Sequence, residues 1–208
     1  MGREAIVGYP RTPFTLVMIG LNVLVFIWLG LTGGWESSDS LVAHGALYGP
    51  AVAAGEWWRI VSGAFLHAGY LHIGLNMFAL FQVGRLVEML VGSARTALAY
   101  TVAMLGSGIA VIVFNPDEPT VGASGAIFGL FGTLVAIGMR LGRPGRMLVS
   151  QTLPIIGINL AFGFAVPNIS NAAHIGGLLC GFLVGLGVAH AVRVVPVPDD
   201  TTGPGPAA

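Results

Sequence analysis

TVGASGAIFG, residues 120–129, opens an apolar run that continues to Met139. The run reads as the mouth of a buried helix, and a polar Ser124 stands in it between Gly122 and Gly125. Two readings are open for that serine. It is a small packing residue between close helices, or it is a nucleophile. Which one holds depends on the solvent around the helix and on what else shares its depth.

The solvent follows from composition. The chain has 208 residues, of which 55% are hydrophobic and 9% charged. A soluble domain carries roughly 25% charged residues, so most of this surface faces lipid. Net charge is zero and lysine is absent, which argues against a nucleic-acid partner. The single Cys180 excludes an intrachain disulfide and a cysteine-only metal site. The 32 glycines suit membrane helices that pack through small residues.

Six apolar segments of spanning length lie near 13–32, 68–90, 95–114, 123–140, 147–166 and 172–192. They are too long and too continuously apolar for barrel strands, so the fold class is an all-α membrane protein. The first lacks a clear cleavage site, so it reads as a span and not as a leader. Six spans put Arg3, Arg11, Arg85, Arg95, Arg140, Arg143, Arg146 and Arg193 on one side and Arg59 alone on the other. The excess of positive charge predicts that both termini are cytoplasmic. The expected organisation is a short cytoplasmic segment 1–12, a six-span domain 13–195, and a disordered Pro/Gly-rich tail 196–208. The outer side then carries residues 33–67, with Trp35, Trp57 and Trp58 suited to the interface.

Polar groups inside spans are costly, so each is a functional hypothesis. His72 and Asn76 are four apart and share a helix face. Ser124 opens the fourth segment, and His174 opens the sixth. The predicted topology puts all four in the outer half at similar depth, above an apolar inner half. Gly177, Gly181 and Gly185 form a GxxxGxxxG ridge, and the first two lie on the face of His174. Such a ridge lets two helices approach until serine and imidazole meet. His174 would then take the Ser124 proton as general base and return it to the leaving amine. Glu88 lies sixteen residues after His72, about 24 Å along a helix, too far to orient the base. Asp117 and Glu118, in an outer loop, remain open as a third member, and a Ser–His dyad is the favoured reading. His72, Asn76 and the Ser124 amide are candidate oxyanion donors, with Gly122 admitting the backbone approach.

Structural readings stand beside these. Ser124 in a small-residue pattern can simply pack. His72 with Asn76 can tie two helices together. His67 is expected to hold its loop, and His44 and His190 to be surface or interface groups. Glu88 is expected to pair with Arg85 or Arg95 or to cap the inner turn. Cys180 reads as buried and apolar, and Pro154 as a bend in the fifth span.

Five stretches in order carry a resemblance: EWWR at 56–59, HAGYLHIGLN at 67–76, GRLVE at 84–88, GASGAIFG at 122–129 and AHIGGLLCG at 173–181. Together they resemble the rhomboid intramembrane serine proteases, across nearly all of 13–192. The resemblance implies a six-span rhomboid-like bundle of the basic bacterial form, multi-pass in the cell (inner) membrane. It implies neither an extra span nor the soluble domain of some members. It implies Ser124 as nucleophile, His174 as base, and His72, Asn76 and the Ser124 amide as the oxyanion site, with Gly122 in the turn. Arg59 looks structural. Phe128 stands where many members carry Tyr, so its ring can pack under the imidazole without a hydroxyl. The implied substrates are single-span membrane proteins in the lipid bilayer, cleaved through an acyl-enzyme, with no metal, no cofactor and no nucleic acid. The outer loops and motion of the fifth span are the implied gates. Two rivals compete: a catalytically inactive rhomboid-like protein that binds membrane clients, and a transporter or channel with a polar path at several depths.

Overall fold

The computed structural model describes residues 11–143, 145–166 and 169–192. Its α-helices are α1 (Pro13–Leu31), α2 (Ser38–Ala43), α3 (Gly49–Ala53), α4 (Arg59–Ser62), α5 (Tyr70–Ala79), α6 (Arg85–Val91), α7 (Ser93–Phe114), α8 (Ser124–Arg140), α9 (Gly145–Ala165) and α10 (Asn171–Val188). A π-turn at Leu80–Gly84 joins α5 to α6, so Tyr70–Val91 is one rod. Extended pairing among the described residues is limited to one antiparallel bridge, Leu47 with Thr120.

Five helices have the length and apolarity to cross a bilayer: α1, the Tyr70–Val91 rod, α7, α9 and Asn171–Ala191. The remaining expected segment, the fourth in chain order, is also helical, but α8 has only 17 residues. It is the innermost helix, buried along most of its length. The surrounding helices turn Leu24, Ile109, Val113 and Leu183 outward. Exposed apolar side chains on every outer helix are the signature of a protein whose solvent is lipid. Both predicted terminal segments lie outside the described residues, apart from Arg11 and Thr12.

Glycine decides how the centre packs. An added methyl at Gly177 would fall on the Gly125 carbonyl oxygen, and one at Gly181 on that of Gly129. From the other side, a methyl at Gly132 would fall on the carbonyl oxygen of Leu178. Backbones therefore touch along the α8–α10 seam, as small residues permit. Thr133 Oγ1 donates across it to the Gly181 carbonyl at 2.9 Å. Cys180 is half-buried against Gly106 of α7, more accessible than expected.

Of the two expectations for Glu88, the ion pair fails and the bond to the inner turn is present. Glu88 makes no ion pair with Arg85 or Arg95; the Arg59–Glu56 pair stands alone among the described residues. Its carboxylate instead accepts from the amides of Phe14 and Thr15, both at 2.9 Å, and from Thr15 Oγ1 and Ser93 Oγ, both at 2.7 Å. The first amides of a helix have no partner within it, and the dipole there favours a negative charge. Glu88 thus caps α1 and ties it to the α6–α7 turn. Arg85 lies over the Phe81 ring, and Arg95 bonds the Val91 carbonyl.

The segment between α1 and α5 folds around Arg59, which is 7% exposed. Its guanidinium donates to the carbonyls of Val42 at 2.7 Å and Ala46 at 3.0 Å, and to Glu56 at 2.6 Å. Trp57 and Trp58 remain exposed beside it.

Candidate active site

Ser124 is the first residue of α8, and the turn before it is fastened from two sides. Thr120 exchanges both backbone hydrogen bonds with Leu47, and the Gly122 amide donates to the Gly63 carbonyl at 2.9 Å. Gly122 has φ of +114°, a conformation only glycine adopts without strain. An added Cβ there would stand 2.7 Å from His72 Nε2, so the position also makes room for that imidazole.

His174 sits in the first turn of α10, capped by Ser170, whose hydroxyl accepts from the Ala173 amide. The glycine seam brings the two helices together so that His174 Nε2 lies 3.0 Å from Ser124 Oγ. Phe128, one turn along α8, stacks on the imidazole with ring centroids 4.1 Å apart and planes 7° apart. No carboxylate bonds the other ring nitrogen: His174 Nδ1 is buried without a partner among the described residues.

His72 and Asn76 form the facing wall. The Ala68 amide donates to His72 Nδ1 at 3.3 Å, which leaves the neutral ring's proton on Nε2, beside Gly122. Asn76 Nδ2 donates to the His72 carbonyl at 2.9 Å and retains a second N–H. His67, just before α5, is fully buried with its ring 5.0 Å from that of His72. Burial, and secondarily His72, push the His67 imidazole down to about 3. Its Nδ1 donates to the Phe65 carbonyl at 3.2 Å.

A cavity of about 830 Å³ joins these groups. Its lining includes Leu75, Asn76 and Gln82 of the Tyr70–Val91 rod, Ser124 and His174, and Ile155, Asn159 and Phe162 on α9. Leu75, Phe78 and Phe162 on its rim are exposed. Sequence reasoning passes over three of its polar lining residues: Gln82, Ser107 and Asn159. The signal is available, because each is a polar residue inside an apolar segment. Gln82 lies near the middle of the Tyr70–Val91 rod. Among the described residues no three His, Cys, Asp or Glu side chains gather as a metal site requires.

The model of the Rhomboid domain matches residues 54–191. The chain belongs to the rhomboid family. It is 44% identical over 173 residues to "Rhomboid protease GluP" of Bacillus subtilis (strain 168), covering 83% of this chain and 34% of that protein. It is 36% identical over 139 residues to "Putative rhomboid protease YdcA" of the same organism, covering 66% of this chain and 70% of the relative. "RHOMBOID-like protein 6, mitochondrial" of Arabidopsis thaliana is 37% identical over 153 residues, 72% of this chain and 50% of that one. The chain thus spans about a third of GluP and half of the plant relative. As a rhomboid it is a multi-pass membrane protein from a family that includes proteases. A serine hydroxyl bonded to an imidazole beside free N–H groups is the arrangement acyl transfer requires.

Proposed function

We propose that this rhomboid is an intramembrane serine endopeptidase that cleaves single-span membrane proteins. The observation that carries the reading is the 3.0 Å contact between His174 Nε2 and Ser124 Oγ. His174 takes the hydroxyl proton as Ser124 Oγ attacks the substrate carbonyl. The tetrahedral oxyanion accepts hydrogen bonds from the Ser124 amide, His72 Nε2–H and the second Asn76 N–H. Collapse breaks the C–N bond, and His174 gives its proton to the leaving amine. Water then attacks the acyl-enzyme with His174 again as base, and Ser124 is regenerated. Gly122, Gly177 and Gly181 permit the approach of these groups, Phe128 holds the imidazole face, and Arg59 holds the outer segment.

In this reading α8 is also a span, the fourth in chain order, because 17 residues meet the lower end of the spanning range. Residues 13–195 form the protease domain, both termini are cytoplasmic by the arginine pattern, and the membrane is the cell's inner one. A peptide bond within a helix is shielded, so substrates must unwind locally before attack. The outer loops and α9, which packs mainly against α8, are the elements that would move to admit them.

The test is labelling of the folded protein in liposomes with a fluorophosphonate. The adduct is expected on Ser124 and to be lost in Ser124→Ala and His174→Ala. A folded wild type that neither labels nor cleaves a single-span substrate would overturn the reading in favour of inactive client binding.

A further inference from the structure

Of the polar residues that line the large cavity, Gln82 and Asn159 are the two with exposed side chains, and the proposed chemistry has no use for either. They line the cavity from two different elements, Gln82 from the Tyr70–Val91 rod and Asn159 from α9. Gln82 makes no hydrogen bond from its side chain among the described residues. Asn159 Nδ2 donates to the Ile155 carbonyl at 2.8 Å, which leaves its carbonyl oxygen and second N–H uncommitted. An amide facing lipid is costly, so such groups mark a pathway or a partner. The rod carrying Gln82 also widens at that point into the π-turn Leu80–Gly84, and turns of this kind are frequent at functional sites.

Position in the rod adds the register. Gln82 follows His72 by ten residues, about 15 Å along the axis. Asn159 lies six residues before the end of α9, about 9 Å from it. The two amides therefore flank the part of the cleft that continues into the membrane beyond Ser124. A substrate with its scissile bond at Ser124 would run its remaining transmembrane segment between them.

We propose that Gln82 and Asn159 form a polar subsite for a hydrogen-bonding side chain, Asn, Gln, Ser or Thr, in the substrate's transmembrane segment. This rests on the protease reading of Ser124 and deepens it. The recognised residue lies on the membrane-buried side of the cut. About 15 Å corresponds to roughly five residues of extended chain or ten of helix. Each amide offers both donor and acceptor, so the subsite discriminates by hydrogen bonding and leaves an all-leucine segment with two unpaired amides.

The experiment places a single Asn at each position from four to eleven after the cut in an otherwise Leu/Ala single-span reporter. Binding is measured to the Ser124→Ala protein in nanodiscs, and cleavage to the active protein. One window of positions is expected to bind more tightly and to raise kcat/KM by roughly three- to thirty-fold, the range for a hydrogen bond between membrane helices. Gln82→Leu and Asn159→Leu are expected to abolish that gain while fluorophosphonate labelling of Ser124 is unchanged. An Asn gain that survives both substitutions, or no Asn dependence in binding or cleavage, overturns the subsite. An Asn-dependent gain in binding without cleavage or labelling by the active protein overturns the protease reading and leaves the subsite standing.

Discussion

The Phe128 ring lies flat on the imidazole of His174, 4.1 Å between centroids and 7° from parallel. Phe128 is four residues after Ser124 on the same helix, so one element carries both the hydroxyl and the plate that orients its partner. An aromatic pair of this kind is worth about 0.5–1.5 kcal/mol. Phe128→Leu is therefore expected to lower kcat by roughly two- to tenfold, with KM little changed. Phe128→Tyr keeps the ring and is expected to keep activity. Steady-state cleavage of one reporter by the two variants checks both.

Gly122→Ala adds strain at φ +114° and a methyl 2.7 Å from His72 Nε2. The imidazole must move away from the position that the proposed mechanism gives to the oxyanion. Loss of one such donor costs about 10²–10³ in turnover. The expected outcome is a fall in kcat of that order, in protein that elutes as a single species and retains its helical circular dichroism.

Gly181→Ala acts on the seam. Its methyl would fall on the Gly129 carbonyl oxygen, and backbone cannot swing aside as a side chain can. Overpacking costs about 1–3 kcal/mol. Both the unfolding temperature and fluorophosphonate labelling are expected to fall together, because separating α8 from α10 also separates Ser124 from His174. Gly187→Ala, with open space around it, is the control expected to change neither.

Glu88→Ala removes the acceptor for two amides and two hydroxyls at once. Hydrogen bonds to a charged group contribute about 1.5–3 kcal/mol, and the orphaned donors add their own cost. Thermal unfolding in detergent is expected to drop by several degrees, and Glu88→Gln by less.

His67 supplies a pH dependence of known sign. Its folded value, about 3, lies below the ordinary 6.5, so the unfolded chain binds the proton first as pH falls. Its contribution to stability is complete above about pH 6.5 and declines toward pH 3. At pH 5 the loss is about 2 kcal/mol. Unfolding temperatures measured from pH 7.5 to 4.5 are expected to fall, and His67→Phe to flatten that fall.

What the sequence reveals depends on what each contact leaves in it. Gly125, Gly129, Gly177 and Gly181 recur every fourth residue, so the close seam is visible as a pattern. Ser124 and His174 stand out because lipid makes polar residues rare and therefore conspicuous. Glu88 leaves no such mark, since its partners include backbone amides 74 and 73 positions away. The short helices α2 to α4 are equally silent: carbonyls of Val42 and Ala46 gathered on Arg59 hold them, not any local periodicity. Gln82 and Asn159 were open to the same rule as Ser124, but Gly and His neighbours draw the eye to one end of the bundle.

On the protease reading, the shortness of α8 has a consequence for where peptide bonds are broken. Seventeen residues rise about 26 Å, against a hydrocarbon thickness of about 30 Å. In the proposed topology, with Arg140 at the inner headgroups, Ser124 stops a few ångströms short of the opposite surface. The scissor therefore has a fixed draught, like a keel, measured in turns of one helix. On that reading only the outer few residues of a client's membrane anchor would be level with it, and a cut there would free the ectodomain while the stub stays embedded.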